Sequence, residues 1–344
     1  MHGNTLYRIP KIPYLRLRFQ TVAGQRCHLP VQKGSLLRGA FGHALRRTVC
    51  VMGPKQECQP CLLRTQCIYP RLFETFIEEP APRFLRGLKT APRPYVFEPF
   101  DTATEYAAGT ALAFDLILLG RAAALYPYAI YAVDLMAKAG LGAKRHPFTL
   151  QQVMWQKNDA GTKSLDENGW ERLYDGASQR LLVEPNPLVI PNGASNSCNG
   201  SLQLEFLTPT RLKFKNELTM DFTFRMLVFK MLRRVLELVH FHVPEATVDW
   251  EFHDLLVAAD EVQVANSHLY WVDWVRRSNR QQTTMKMGGL MGLLNLEGPV
   301  EPFMDLLRTS AVVHVGKGAV FGNGKVGVVS ADEHSCKRKG DNRD

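Results

Sequence analysis

Hydrophobic and polar residues along this chain follow two periods in turn, and their succession predicts the first half of the fold. Residues 14–21 (YLRLRFQT) alternate apolar and basic side chains, as a half-buried strand does, and residues 35–47 then place apolar side chains at helical spacing. Residues 111–119 have the composition of a buried strand, and residues 126–139 predict a helix that stops before Gly140. The predicted order is therefore strand, helix, strand, helix.

A similar succession follows a loop-rich patch at residues 184–200, which is the best boundary between two domains. Residues 202–207 alternate as a strand, and residues 221–241 form a long helical pattern with Asp221 as its N-cap. Two further strands are predicted at residues 289–296 and 311–315. The pattern favours an α+β fold of two similar halves over a doubly wound parallel sheet.

These boundaries give a domain organisation. We predict one domain at residues 1–190, interrupted by an inserted cysteine-rich module at about residues 50–99, and a second domain at residues 201–330. The second domain carries a glycine-rich loop at residues 314–325. Residues 331–344 are predicted to be a disordered tail, to which no role is assigned.

The inserted module contains four cysteines with the spacing C-x7-C-x2-C-x5-C, namely Cys50, Cys58, Cys61 and Cys67. The CQPC pair is typical of a knuckle that grips one metal ion, and two more thiolates nearby can complete a tetrahedron. Zinc is favoured, an iron–sulfur cluster is the second choice, and four free buried thiols are the alternative. Four thiolates leave no open coordination position, so no catalytic metal is expected. The other cysteines, Cys27, Cys198 and Cys336, are scattered and are expected to be ordinary thiols.

The net charge of +9 and a pI near 9.2 favour an acidic partner such as nucleic acid. The tail holds four basic and four acidic residues, so the whole excess lies on residues 1–330. No apolar stretch is long enough to span a membrane, and the N-terminus lacks the apolar run of a secretory signal. We therefore expect a soluble cytoplasmic protein without a membrane partner.

The glycine-rich loop HVGKGAVFGNGK begins at His314 and predicts contact with phosphate groups. Glycines permit positive φ and leave backbone N–H groups free, and lysines add positive charge. Its flanks, rich in valine, are predicted to be strands. The loop residues predicted to bind RNA are His314, Gly316, Lys317, Gly318 and Lys325.

The first predicted helix has a polar face on which a catalytic or phosphate-binding site could lie. Arg38, Gly39, Gly42 and Arg46 lie opposite its apolar face, with His43 at the edge. Glycine costs about 1 kcal/mol inside a helix, so the two glycines on this face need a reason. The close approach of a bulky partner would supply one. The alternative is a helix packed tightly on a neighbouring strand, with His43 as a boundary residue.

RNA cleavage by its own 2′-hydroxyl fits such a face, since histidine can move protons near neutral pH and arginine or lysine can hold the phosphorane charge. No Asp/Glu cluster has the spacing of a two-metal nuclease. Basic residues beside apolar or aromatic ones are the further RNA-binding candidates. Including the first helix, they are Arg38, Arg46, Arg47, Arg211, Lys213, Lys215, Lys230, Arg233, Arg234, Arg276, Arg277 and Arg280. A solvated charged face is the alternative for Lys230, Arg233 and Arg234.

Several motifs together resemble the CRISPR repeat-processing endoribonucleases, the Cas6 family of the RAMP superfamily. They are LLRGAFGHALRR, the cysteine module ending in CIYPRLFE, FLTPTRLKFK before the long helix, GGLMG, and HVGKGAVFGNGKVGV, in the family's order. The resemblance implies two tandem ferredoxin-like (RRM/RAMP-type) domains with RNA over the cleft between them. It implies metal-independent cleavage of repeat RNA to guide RNAs that end in a 2′,3′-cyclic phosphate. By position it implies that His43 is catalytic, with His28 and Lys33 as looser candidates.

Other function classes remain open at this point. A non-catalytic RAMP-type RNA-binding subunit of a CRISPR effector complex would share the fold and charge, and a zinc-stabilised DNA-binding module would share the charge. The partners implied are CRISPR repeat RNA or guide RNA and other Cas proteins, and a homodimer is left open. Cleavage that persists in EDTA would distinguish the nuclease from the subunit.

Overall fold

The computed structural model describes residues 7–53, 55–78, 82–157, 169–190, 200–215, 217–278 and 283–330. The predicted disordered tail at residues 331–344 lies outside them, as do Arg280, Cys198 and Cys336. Among the described residues, no helix is both long enough and apolar enough to cross a bilayer.

The first half forms one main sheet and two helices that pack on it. Its elements are β1 (Tyr14–Ala23), β2 (Cys27–His28), α1 (Lys33–Val49), α2 (Ile68–Leu72), β3 (Tyr95–Pro99), β4 (Glu105–Tyr106), β5 (Ala111–Leu119), α3 (Tyr126–Ala139), β6 (Phe148–Gln156), β7 (Trp170–Asp175) and β8 (Arg180–Leu181). The sheet order is β3-β5-β1-β6-β7-β8, and every neighbouring pair is antiparallel. The short strands β2 and β4 pair with each other outside this sheet.

The second half repeats the plan with a four-stranded sheet. Its elements are β9 (Ser201–Thr210), β10 (Lys213–Phe214), β11 (Glu217–Leu218), α4 (Phe224–His242), α5 (His253–Ala258), β12 (Gln263–Val272), β13 (Val275–Ser278), β14 (Thr283–Lys286), β15 (Gly289–Glu297), α6 (Met304–Val313) and β16 (Val326–Ser330). The sheet order is β12-β15-β9-β16, again antiparallel throughout. In both halves the first strand lies between the third and the fourth of a strand–helix–strand–strand–helix–strand series.

Alternation along β1 explains how the first sheet is covered. Leu15, Leu17 and Phe19 are buried in one cluster with apolar residues of α1 and α3. Arg16 and Arg18 point to the opposite face of the sheet, where they form ion pairs with Glu98 of β3 and Asp115 of β5, respectively. A second cluster, built around α4, α6 and β9, extends onto this opposite face, so the two halves share a core.

The predicted fold class is confirmed as a mixed α/β fold with antiparallel sheets. The strand predicted at residues 311–315 is wrong, because residues 311–313 are the last turn of α6. The N-cap of α4 is Thr223, whose Oγ1 accepts the Met226 N–H, and not Asp221. The predicted insertion ends as β3, a strand of the main sheet.

Candidate functional site

Helix α1 exposes His43 on a basic surface. The helix buries four apolar side chains against the first sheet, namely Leu37, Phe41, Ala44 and Leu45. The side chain of His43 is exposed to solvent. The seventeen residues of α1 include no aspartate or glutamate. A polyanion can therefore approach this helix without meeting a like charge on it.

The three glycines of α1 separate into two kinds. A Cβ on Gly34 would lie 1.8 Å from Phe321 O, and one on Gly42 would lie 2.1 Å from the ring of Phe73. Both positions therefore require glycine because of contacts within the chain. For Gly42 this agrees with the alternative that the helix packs tightly on a neighbouring element. A Cβ on Gly39 would meet nothing within 4 Å. Gly39 lies one turn before His43, so bare backbone lies beside the histidine.

This difference predicts opposite effects of one substitution at two positions of α1. Gly34→Ala is expected to destabilise the protein by about 1–3 kcal/mol, because the new methyl group would displace the backbone at Phe321. Gly39→Ala is expected to stabilise it by about 0.5–1 kcal/mol, because alanine favours the helix and has room. Urea denaturation measures both values. Equal effects of the two substitutions would contradict the close packing of the glycine-rich loop on α1.

Lys33, a catalytic candidate from the sequence, is an interior residue. Its side chain is 0% exposed, and its Nζ lies 2.9 Å from Asp101 Oδ1. The same Nζ donates to Ala103 O at 2.6 Å and to Asp101 O at 3.2 Å. These contacts fix the start of α1 to the segment between β3 and β4.

His28 lies near the start of α1, in an open cavity of about 320 Å³. It belongs to β2, and Leu29 N–H donates to Thr104 O, in the segment that also holds Lys33. His43 lies ten residues beyond Lys33, which is about 15 Å further along the helix axis. His43 therefore lies well along α1 from the end beside which His28 is found. The cavity also holds Arg26, Glu105, Lys144 and His146, none of which the sequence pattern singled out.

The glycine-rich loop binds to its own protein. His314 is 0% exposed, its Nε2 lies 2.8 Å from Glu98 Oε1, and its Nδ1 lies 2.9 Å from Asn323 O. Lys325 Nζ donates to Glu98 Oε2 at 2.9 Å. His314 is thus enclosed by its own chain rather than exposed to a partner, and Lys325 is held by the same carboxylate.

The backbone of the loop is also occupied. The N–H groups of Val315, Lys317, Phe321, Gly322, Gly324 and Lys325 all donate to acceptors within the protein. Gly316 and Gly318 have positive φ, and a Cβ on Gly316 would lie 2.6 Å from Arg211 O. The glycines therefore serve the close packing of the loop on the chain itself rather than a cradle for phosphate. Lys317 alone among the predicted loop side chains is exposed.

Glu98 is ionised inside the protein. Burial alone would raise its pKa, but Arg16, the hydrogen bond from His314, and Lys325 together hold the pKa of Glu98 well below its usual range. The carboxylate is 4% exposed and lies in β3, while His314 and Lys325 come from the second half. This network joins the two halves at the base of the glycine-rich loop.

The other predicted RNA-binding residues occupy three kinds of position. Arg38 lies over the Phe73 ring at 4.1 Å, Arg46 donates to Gln56 O, and Arg211 donates to Lys286 O. Arg234 is half-buried, burial lowers its pKa to about 10, and its Nε donates to Val313 O at the end of α6 at 3.4 Å. The remaining described side chains are exposed or half-buried: Arg47, Lys213, Lys215, Lys230 and Arg233. Arg276 and Arg277 lie on β13, where only the backbone is described, and Arg280 lies outside the described residues.

The four cysteines of the module line one small cavity of about 30 Å³. The chain turns tightly between two of them, because Cys61 N–H donates to Cys58 O at 3.2 Å. In the part of the chain that the structure describes, no three His, Cys, Asp or Glu side chains are grouped closely enough to hold a metal ion. The thiols therefore share a cavity without forming a coordination shell.

Comparisons with known proteins find family matches in both halves of the chain. Residues 12–186 match the N-terminal domain of the AF_1859_N family, and residues 204–326 match the family described as CRISPR-associated endoribonuclease Cas6. An uncharacterized protein of Archaeoglobus fulgidus is 24% identical over 236 residues, which are 66% of this chain and 74% of that protein.

Two solved structures share the fold. The Cas6 product complex from Thermus thermophilus superposes with a TM-score of 0.52 at 15% identity, over 92% of this chain and 99% of that one. A chain of a partial Cas6-RT-Cas1–Cas2 complex gives a TM-score of 0.56 at 13% identity, over 95% of this chain and 47% of that longer one. The two solved structures show that the chain shares the Cas6 fold. The family model at residues 12–186 covers half of the chain, which therefore belongs to the AF_1859_N family, and residues 204–326 match the Cas6 endoribonuclease family.

Proposed function

We propose that this protein is an endoribonuclease that cleaves CRISPR repeat RNA in precursor transcripts to give guide RNAs. The observation that carries the proposal is His43, an exposed histidine on a helix that contains no aspartate or glutamate. The second half of the same chain matches the Cas6 endoribonuclease family. Arg47, one turn further along α1, is exposed beside it and can hold phosphate charge. Gly39, one turn before it, leaves room for the sugar–phosphate backbone.

The proposed reaction needs no metal ion. The 2′-hydroxyl at the cut site loses its proton, its oxygen attacks the adjacent phosphorus, and the P–O5′ bond breaks. The 5′-oxygen takes up a proton, and the products are a 2′,3′-cyclic phosphate and a 5′-hydroxyl. His43 serves one of the two proton transfers, since imidazole can accept or donate near neutral pH.

We further propose that the two halves are tandem ferredoxin-like domains with the RNA over the cleft between them. The proposal is supported by the strand order, since each half has a βαββαβ series whose sheet runs second, third, first, fourth. The Glu98 network, which joins β3 to the glycine-rich loop, would fix the two sides of that cleft.

The test is cleavage of a labelled repeat RNA in EDTA, with a matched RNA that carries a 2′-deoxynucleotide at the cut site. We expect the first RNA to be cut to a product that ends in a cyclic phosphate and the second to stay intact. Cleavage of the deoxy RNA, or a loss of cleavage in EDTA with the fold intact, would refute this mechanism. Tight binding without cleavage would instead indicate an RNA-holding subunit.

We also propose that Cys50, Cys58, Cys61 and Cys67 hold a structural zinc ion. Support comes from their common cavity, the tight turn between Cys58 and Cys61, and the preference of zinc for four thiolates. A closed set of four ligands would stabilise the fold and take no part in the chemistry.

This proposal predicts about one zinc ion per chain in the purified protein, measured by elemental analysis. Cys58→Ser is expected to lose the metal and to lower the melting temperature. The matched control is Cys27→Ser, at a buried cysteine outside the module, and it should keep the metal. Iron in place of zinc would favour the cluster, and a metal-free protein would contradict both.

A further inference from the structure

A second basic site lies near the start of α1, in the open cavity of about 320 Å³ beside His28. We propose that this cavity is a phosphate-binding subsite that holds a sugar–phosphate segment of the RNA away from the cut site. The inference rests on the proposed function and extends it, because it adds a second point at which the same RNA strand is held.

The lining of the cavity suits a phosphodiester. Two permanent cations, Arg26 and Lys144, and two histidines, His28 and His146, face it together. The one carboxylate in the lining, Glu105, is paired with Arg26 at 3.0 Å. Both partners of this pair are more than half exposed, so the pair costs little to open when a phosphate competes for the arginine.

The frame that brings these side chains together is specified by the backbone. Cys27 and His28 pair with Tyr106 and Glu105, which fixes one wall. The other wall is a tight loop after α3, closed by two backbone hydrogen bonds between Leu141 and His146. The backbone positions of these residues are therefore fixed by the fold.

The contact between the two walls depends on one glycine. Gly142 has a φ of +81°, and a Cβ there would lie 3.3 Å from His28 O. Arg145 also has a positive φ, of 50°, which is uncommon for a residue with a side chain. Both features hold Lys144 and His146 against the strand that carries His28.

Size and position favour an RNA segment. A volume of about 320 Å³ is at the lower end of the range for small-ligand pockets, about 300–1,000 Å³, and the cavity is open to solvent, as a strand that passes through would require. Lys33, at the start of α1, is bound to Asp101 and Ala103, just before Glu105 of the cavity, and His43 lies about 15 Å further along the helix axis. One strand can therefore occupy both places, with several nucleotides between them.

The test uses a repeat RNA with a 2′-deoxynucleotide at the cut site, so that binding is measured without cleavage. Fluorescence anisotropy at several salt concentrations compares the wild type with Lys144→Ala and with Lys144→Ala/His146→Gln. The matched control is Lys157→Ala, which removes the same charge just beyond the opposite end of β6. Melting temperatures report whether each variant is folded.

We expect Lys144→Ala to raise Kd about three- to tenfold and to lower the salt slope by about 1, with a larger loss in the double variant. Lys157→Ala should change neither quantity. Kd values within twofold of the wild type and an unchanged slope would overturn the proposal. If the wild type binds but never cuts, the nuclease proposal fails while the Kd series still decides the subsite.

Discussion

Replacing His43 with alanine is expected to slow cleavage of the repeat RNA by about 10²–10⁴-fold, the usual contribution of a positioned acid or base. Binding of the RNA is expected to stay within about twofold, because the arginines of α1 and the rest of the basic surface remain. Single-turnover cleavage and anisotropy measure the two quantities separately. His43 is exposed and packs in no core, so the variant should melt as the wild type does.

The matched control is His253→Ala, which removes an exposed histidine from the short helix α5 in the other half. It should cleave at the wild-type rate. A His43→Ala protein that binds the RNA and still cuts at the wild-type rate would remove His43 from the chemistry. A joint loss of binding and cleavage would assign His43 to RNA recognition.

The periodic elements could be predicted from sequence because each is decided by its own residues. The alternation in β1 and the helical spacing in α1 and α3 gave these elements to within two or three residues. The end of helix α6 was predicted wrongly because the run Ala311–Val313 is short, apolar and partly β-branched, and such a run does not distinguish a helix from a strand.

The site was harder because its decisive contacts are between distant residues. Lys33 and Asp101 form their ion pair across the fold, and no local pattern identifies either as buried. The glycines near His314 have the composition of a phosphate cradle, yet the backbone that they approach belongs to Arg211 and Val315. Spacing shows that a close approach is needed, and it does not show which surface approaches.

Replacing Glu98 with glutamine is expected to lower the free energy of unfolding by about 3 kcal/mol, near the low end for breaking a buried ion pair. The amide keeps the shape of the side chain but leaves Arg16, His314 and Lys325 without their shared anion. Lys325 is one-third exposed and can turn to water, which limits the loss. The matched control is Glu105→Gln in the exposed pair with Arg26, which should cost less than about 1 kcal/mol.

The same carboxylate predicts the sign of a pH effect. Because the pKa of Glu98 in the folded protein lies well below its ordinary value of 4.5, the folded state binds this proton less readily than the unfolded chain does. The stabilisation by Glu98 is therefore fully present above pH 4.5 and is lost as the pH falls below it toward the folded-state pKa. Urea denaturation of wild type and Glu98→Gln should give a difference that is constant at neutral pH and shrinks below pH 4.5. A difference that does not change with pH would show that Glu98 contributes by packing, and the two halves would then be joined without this ion network.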